Sequence, residues 1–268
     1  MKKCIYMLAP MEDITDSAMR RLCYNHGADI TFTEMARIES LAKKEKTILV
    51  KTEIPDNTPT WIQLVGSDEQ KLKKYLHGFE PAKGFLGFNF NLGCPSLNLV
   101  NNGVGCAMIK RIAKTKKIIK IVKDRGYNSS IKLRLGLNNL DKKNKVYLKL
   151  IKNVDTDMFI VHSRVGTDYY DSPPDHSVLE ECSETGKKII ANGDIKTKKD
   201  VSKVLGYGVK GVMIGRAAIT NPLIFAELKN ETTPTLDQLK KEYLALANKF
   251  NSPFKYRKNV LKRLENKD

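Results

Sequence analysis

The chain has 268 residues, of which 41% are hydrophobic, so it is long enough for one full-sized core. No apolar run approaches the roughly 18 residues of a membrane helix, and Glu12 and Asp13 come too early for a signal peptide. The five cysteines are odd in number and lack CxxC spacing, which excludes a disulfide scaffold and favours reduced thiols in the cytoplasm. The net charge of +17 is typical of a nucleic-acid partner, although a lysine-rich composition can also serve solubility.

Short apolar runs alternate with helical patterns along most of the chain. The runs lie at 5–8, 30–32, 61–65, 85–90, 131–135, 158–161, 189–191 and 212–214. The clearest helical patterns lie at 17–25, 68–76, 112–123, 142–151 and 197–205, and the unit around 30–50 is the least regular. Eight strands that are each followed by a helix predict an α/β fold, a (β/α)8 TIM barrel over residues 1–228.

The pattern after Asn221-Pro222 becomes purely helical. Thr235 is a candidate N-cap for a helix over 236–250, and Ser252-Pro253 predicts a break before a last basic helix. The segment 229–268 carries ten basic and five acidic residues, and the run 110–125 carries eight basic residues and one acid. We expect 229–268 to be a short helical appendage in contact with RNA, whereas the run 110–125 can equally be the solvated face of a helix.

The stretch that begins at Phe88 has the alternation of a strand with one apolar and one polar face. Phe88, Phe90 and Leu92 alternate with Asn89, Asn91 and Gly93, and Cys94-Pro95 follows directly. Proline ends the ladder there, so a thiol is presented at the end of the strand. In TIM barrels the carboxyl ends of the strands carry the chemistry, and Cys94 is therefore a candidate reagent.

Polar residues also interrupt the other strands at positions that predict a ring around one mouth. They are Gln63, Lys132, Arg134, His162, Asn192, Gly193, Asp194, Gly215 and Arg216. An inward lysine is costly to desolvate unless an anion meets it, and glycines at the last two strand ends leave room for a phosphate. A flavin mononucleotide fits this pattern, and by these patterns alone a sugar phosphate fits equally.

Eight motifs in order give the stretch from Leu8 to about Leu228 a specific resemblance. They are APMEDITD (9–16), GADITFTEM (27–35), WIQLVGSD (61–68), NLGCPS (91–96), KLRLG (132–136), VHSR (161–164), NGDI (192–195) and GVMIGRAAITNPLIF (211–225). In this order they resemble the tRNA-dihydrouridine synthases, flavoenzymes that reduce a uridine of tRNA.

The resemblance implies a cofactor, a reductant and a substrate. FMN is expected to be bound by Pro10, Met11, Glu12, Gln63, Asn91, Lys132, His162, Asn192, Gly193, Asp194, Gly215 and Arg216. Cys94 is expected to protonate C5 of the uracil while reduced FMN supplies a hydride to C6, and NADPH or NADH to recharge the flavin. The partner is tRNA, with its target base turned out of the fold, and we expect no metal, membrane or protein partner.

The chain departs from the family pattern at several points. Asp13 stands where glycine is common, GVGCAMI at 103–109 replaces GAGAALL, and SRVGTDYYDSPPD at 163–175 is altered. The GVGCAMI change introduces Cys106, for which we expect a structural role. The helical segment after the barrel is shorter than is usual in the family.

Two other functions are compatible with a flavin barrel. One is a dihydroorotate or dihydropyrimidine dehydrogenase, which acts on a free base; the net charge and the KLRLG and VHSR motifs argue against it. The other is a non-catalytic, flavin-containing tRNA-binding protein, against which Cys94 and the complete ring of polar residues argue.

Overall fold

A computed structural model describes residues 4–168 and 172–265. It contains a parallel sheet of nine strands: β1 (Ile5–Leu8), β2 (Thr31–Phe32), β3 (Ala36–Arg37), β4 (Thr60–Val65), β5 (Phe85–Leu92), β6 (Ser129–Leu133), β7 (Met158–His162), β8 (Ile189–Asn192) and β9 (Gly211–Ile214). Their order is β1-β9-β8-β7-β6-β5-β4-β2, with β3 also paired to β4. An isolated parallel bridge between Met7 and Ile30 joins β1 to the start of β2, the two strands at the ends of this order. The eight strands of this order therefore form the predicted barrel, and β3 is an additional short strand beside β4.

Helices cover the outside of the barrel and continue beyond it. They are α1 (Ser17–Asn25), α2 (Ile38–Ala42), α3 (Lys46–Thr52), α4 (Glu69–His77), α5 (Leu97–Asn101), a 3-10 helix (Gly105–Lys110), α6 (Ile112–Lys123), α7 (Asn139–Lys143), α8 (Val146–Asn153), α9 (Val178–Ser183), α10 (Lys198–Gly206), α11 (Arg216–Thr220), α12 (Ile224–Lys229), α13 (Leu236–Lys249) and α14 (Phe254–Glu265). Within the described ranges, we find no helix with the length and apolar character needed to cross a bilayer.

The structure corrects two details of the predicted elements. The single helix expected over 142–151 is wrong, because Lys145 has the left-handed φ of 51° and separates α7 from α8. The irregular second unit contains the unexpected short strand β3, which pairs with the end of β4.

The N-cap at Thr235 is confirmed, since its side chain accepts a hydrogen bond from the backbone N–H of Gln238 in a reciprocal capping box.

The barrel interior changes from apolar to polar toward the carboxyl ends of the strands. Its lower layer is a small cluster that contains Trp61, Ile160 and Ile190. Gln63, His162 and Asn192 each follow one of these three residues by two positions on the same strand. Because alternate residues of a strand share a face, these three polar side chains also point into the barrel. The polar layer therefore lies directly above the apolar plug, at the mouth.

The helical tail packs against the barrel. Helix α13 contacts α1, and α14 contacts both α13 and α11. Arg257 joins the two tail helices, since its guanidinium donates to Asn248 Oδ1 at 2.6 Å and to the Ala247 carbonyl at 2.9 Å. The last helix is thereby held close to the end of β9.

Part of the basic run 110–125 is engaged in ion pairs. Helix α6 buries Ile118, Ile119, Ile121 and Val122, and its lysines are exposed or partly exposed. Four of the basic side chains face carboxylates: Lys110 with Asp141, Lys117 with Glu69, Lys120 with Asp124, and Lys123 with Asp155. These pairs support the interpretation that the four paired lysines belong to a solvated helix face.

Candidate active site

Two cavities at the mouth of the barrel share five lining residues. Their volumes are about 120 and 380 Å³. Both are lined by Pro10, Met11, Lys132, His162 and Arg216. The smaller is also lined by Asn192, Gly193, Asp194 and Gly215, and the larger by Glu12, Gln63, Asn91 and Cys94. The twelve residues expected to bind FMN, and Cys94, therefore all line one or both of these cavities.

A chain of amide side chains crosses the polar layer and ends at the thiol residue. Asn89 Nδ2 donates to Ser130 Oγ at 2.9 Å, and Gln63 Nε2 donates to Asn89 Oδ1 at 2.7 Å. Asn91 Nδ2 then donates to Gln63 Oε1 at 3.1 Å. Asn91 Oδ1 accepts the backbone N–H of Cys94 at 2.9 Å, so each amide orients the next.

The backbone of Cys94 is also held from the outer side. The N–H of Cys106, in the 3-10 helix, donates to the Cys94 carbonyl at 2.9 Å. Gly105 has a φ of +58°, and a Cβ on it would lie 2.7 Å from the same carbonyl oxygen. Only glycine allows this close approach.

Cys106 has a structural environment. Its thiol is buried and donates to the Gly136 carbonyl at 3.2 Å, and burial raises its pKa to about 11. Cys94, by contrast, is half-buried and lines the larger cavity. The two thiols differ in exposure although their backbones are hydrogen-bonded to one another.

Lys132 brings a cation to the centre of the site. Its Nζ donates to Asn192 Oδ1 at 2.9 Å, and burial together with the charge of Arg134 lowers its pKa to about 8. Among the described residues we find no carboxylate within salt-bridge distance of this ammonium group, so the ligand anion expected from the sequence stays a prediction.

His162 lies in the same positive environment. Its side chain is buried. Burial, and to a smaller extent the positive charges of Lys132 and the surrounding arginines, lowers the pKa of His162 to about 2. His162 is therefore neutral at physiological pH and can act as a hydrogen-bond partner without adding charge.

Asp194 organises the two arginines at the end of the smaller cavity. Its carboxylate pairs with the guanidinium groups of Arg164 and Arg216. Burial by itself would raise the pKa of Asp194, but the bonds and charges of these arginines outweigh burial and lower it. Asp194 has the left-handed φ of 47°, which places its side chain between the two arginines. Arg216, expected as a phosphate ligand, is thus oriented by Asp194.

Glu12, which lines the larger cavity, belongs to a group of three neighbouring carboxylates. Glu12, Asp13 and Glu34 have oxygen atoms within 4.8 Å of one another. Lys51 pairs with Glu12 and lies 3.9 Å from Glu34, and Lys255 pairs with Asp13 at 2.5 Å. These lysines balance the acidic group within the protein.

The sequence interpretation left three residues of this site without a role. They are Glu34, Met35 and Arg164. Arg164 stands within the VHSR motif, one alternation step beyond His162, so the period-2 pattern could have indicated it, as it did Arg134 beyond Lys132. Glu34 lies in GADITFTEM but has no local pattern that distinguishes its role.

The donor set fits a flavin mononucleotide. The partly buried ammonium group of Lys132 suits a negatively charged ring or phosphate, and the amides of Gln63 and Asn91 suit the edge of a heterocycle. Helix α11 begins at Arg216 beside Gly215, and the first N–H groups of a helix lack intrahelical partners. The smaller cavity is thus suited to a phosphate and the larger one to a ring system.

Comparison with known sequences gives one consistent result. The family described as dihydrouridine synthase (Dus) matches residues 7–266. A protein of Helicobacter pylori named probable tRNA-dihydrouridine synthase is 30% identical over 249 residues, covering 90% of this chain and 74% of the relative. The probable tRNA-dihydrouridine synthase 2 of Bacillus subtilis is 29% identical, covering 92% and 79%, and the tRNA-dihydrouridine synthase B of Pseudomonas putida is 28% identical, covering 91% and 76%.

Solved structures share the architecture. A mandelate oxidase in complex with 3,3-difluoro-2-hydroxy-3-phenylpropionic acid has a TM-score of 0.52 at 15% identity, covering 97% of this chain and 77% of that one. A mandelate oxidase variant with benzaldehyde has the same TM-score at 16% identity, covering 95% and 73%. At this identity the likeness concerns the barrel fold alone.

Proposed function

Because the chain belongs to the dihydrouridine synthase family, we propose that it is an FMN-dependent oxidoreductase that reduces the C5=C6 bond of a uridine in tRNA. The observation that carries the proposal is the position of Cys94. Cys94 lines the same cavity as Lys132, and its backbone is fixed by hydrogen bonds on both sides.

The residues of the two cavities divide the cofactor between them. Asn192, Gly193, Asp194, Gly215 and Arg216 would hold the phosphate, with Asp194 orienting Arg216. Gln63, Asn91, Lys132 and His162 would hold the ring system and ribityl chain, together with Pro10, Met11 and Glu12. Lys132 would stabilise negative charge on the ring, and the neutral His162 would offer a hydrogen bond without adding charge.

Cys94 supplies the proton of the reaction. Reduced FMN, when bound, provides the hydride that forms the new C–H bond at C6 of the uracil. The S–H bond of Cys94 breaks and its proton forms the C–H bond at C5, which leaves a thiolate that is reprotonated from solvent. A thiol in its S–H form can act as a general acid in this way.

NADPH or NADH is the reductant that returns the flavin to its reduced state, as the family resemblance implies. The tRNA body is bound by basic surface, to which α14 contributes the exposed side chains of Lys255, Lys258 and Lys262. The target uridine must leave the stack of the tRNA for its base to enter the larger cavity above the ring. The site of action is the cytoplasm, where unmodified tRNA and reduced nicotinamide are present.

A single anaerobic assay tests the proposal against the two alternatives. The flavoprotein, first reduced and thereby bleached, is mixed with unmodified tRNA, with free uracil or with orotate, and the return of the flavin absorbance is followed. Reoxidation by tRNA alone is expected. Reoxidation by a free base would identify a dehydrogenase of free pyrimidines, and no reoxidation by any of the three would leave only a binding protein.

A further inference from the structure

Helix α14 contacts the loop that forms one wall of both cavities. Three of its side chains, Lys255, Tyr256 and Asn259, lie on one face at helical spacing. Lys255 pairs with the Asp13 carboxylate at 2.5 Å, and Asn259 Nδ2 donates to the Asp13 carbonyl at 3.3 Å. Asp13 follows Met11 and Glu12, which line the larger cavity, so the helix supports that wall from behind.

Glu34 joins the helix to this loop through a buried carboxylate. Its side chain is 1% exposed, and one oxygen accepts the backbone N–H of Asp13. The other oxygen accepts the hydroxyl of Tyr256 at 2.5 Å. A buried carboxylate without these donors would be costly, so the interaction fixes the loop and the helix relative to one another.

Asp13 needs this external support because of its conformation. It has a φ of 57°, in the left-handed region that costs a residue other than glycine about 1 kcal/mol or more. Asp13 is held in this conformation by hydrogen bonds at its amide, carbonyl and carboxylate, and every one of these partners is either Glu34 or a residue of α14. The Asp13 end of the Pro10 to Asp13 wall is therefore held by Glu34 and α14, whereas Met11 is held by Thr15.

We propose that Glu34 and Tyr256 are positioning residues for the cofactor, and that α14 is consequently part of the flavin-binding unit in addition to any contact with RNA. The inference rests on the proposed function, since it concerns the affinity for FMN. Loss of the Tyr256 hydroxyl frees the loop without removing any group that lines the cavities.

The test is the dissociation constant of FMN, measured by flavin fluorescence on the full-length protein stripped of flavin. Tyr256→Phe is expected to weaken FMN binding about three- to tenfold, the effect of one lost hydrogen bond to a charged group, and Glu34→Ala at least as much, because it removes the bonds to both Tyr256 and Asp13. Because the Tyr256 hydroxyl acts through Glu34, the double variant is expected to bind FMN no more weakly than Glu34→Ala alone. Glu34→Gln can still accept the Asp13 amide and bond to Tyr256, so it is expected to retain FMN binding within about twofold.

Matched controls come from the adjacent tail helix. The hydroxyl of Tyr243 is buried and has no hydrogen-bond partner among the described residues, so Tyr243→Phe removes the same atom without breaking a bond. Glu242→Gln weakens the pair between α13 and His26, the residue directly after α1, whose Nε2 lies 2.7 Å from the Glu242 carboxylate. Both controls are expected to bind FMN as the wild type does.

The outcomes separate the two proposals. Equal FMN affinity in Tyr256→Phe and the wild type, or equal weakening in Tyr243→Phe, would overturn the positioning role. A wild-type protein that does not bind FMN would overturn this inference and the proposed function together. Weakened binding in Tyr256→Phe alone, in a protein that fails to reduce tRNA, would leave the positioning role supported and the proposed function rejected.

Discussion

The side-chain oxygen of Asn91 accepts the backbone N–H of Cys94 at 2.9 Å, and the N–H of Cys106 donates to the carbonyl of the same cysteine at 2.9 Å. The peptide groups on both sides of the thiol residue are therefore fixed, one by the strand and one by the following 3-10 helix. A proton donor that is held in this way needs little reorganisation when the substrate arrives.

Removal of the thiol should separate chemistry from cofactor binding. Cys94→Ala is expected to retain the yellow colour and to reduce tRNA about 10²- to 10⁴-fold more slowly, the usual contribution of a positioned general acid. The measurement is single-turnover flavin reoxidation by tRNA. Cys4→Ala is the control, because Cys4 is the other half-buried cysteine and lies in the segment before β1, away from the mouth. Loss of flavin from Cys94→Ala would contradict the assignment.

The glycine before Cys106 offers a test of how closely the thiol must be positioned. In Gly105→Ala the new methyl group meets the Cys94 carbonyl, so the loop must shift. We expect turnover to fall at least tenfold while FMN binding stays within about threefold.

Gly126→Ala is the matched control for that variant. Gly126 also has a positive φ, of 79°, but a Cβ there meets no atom within 4 Å. Both variants should lose about 1 kcal/mol of stability from backbone strain, whereas only Gly105→Ala should lose turnover. Equal turnover in the two variants would show that the Cys94 carbonyl tolerates displacement.

Lys132 should make cofactor affinity depend on pH. Its pKa in the folded protein is lowered from 10.5 to about 8, so its positive charge is present below that pH and is lost as the pH rises through it. The affinity for anionic FMN is therefore expected to be constant from about pH 6 to about pH 7.5 and to decline above about pH 8. The pKa of His162, at about 2, excludes it as the source of this step.

Titration of the stripped protein with FMN at several pH values measures this dependence. Lys132→Met should bind FMN more weakly throughout and lack the decline near pH 8. The same shift also predicts that the protein without ligand gains stability between about pH 8 and pH 10.5, since the unfolded chain retains the proton over that range. A decline in Lys132→Met like that of the wild type would assign the titration to another group.

Basic side chains on the last helix should contribute to tRNA binding through phosphates. Lys258 and Lys262 are exposed on α14, and replacement of either by alanine is expected to raise the KM for tRNA and to reduce the slope of log affinity against log salt by about one. FMN affinity should not change. Lys83→Ala is the control, because Lys83 is exposed just before β5, at the opposite end of the barrel. An equal effect of Lys83→Ala would indicate general attraction instead of a defined contact.

Local sequence patterns determined the strands and the polar ends of those strands. The face on which each strand residue lies can be predicted from the alternation along Phe88 to Gly93 and from polar interruptions such as Gln63 and Lys132. This is possible because strand periodicity depends only on neighbouring residues. The motifs determined the family for the same reason, since each is a short contiguous segment at a strand end. The helix expected over 142–151 failed where one residue, Lys145, adopts a left-handed conformation that its type does not indicate.

Only the tertiary structure decided which remote groups meet. The Tyr256 hydroxyl and the Glu34 carboxylate are 222 residues apart in sequence, and Asp194 binds two arginines from different strand ends. Such partners depend on how the barrel closes and where the tail helix returns, which no local periodicity encodes. Of the altered segment at 163–175, Tyr169 to Asp171 lie outside the described residues. The sequence therefore determined the chemistry that lines the mouth, and three-dimensional closure determined the contacts that orient it.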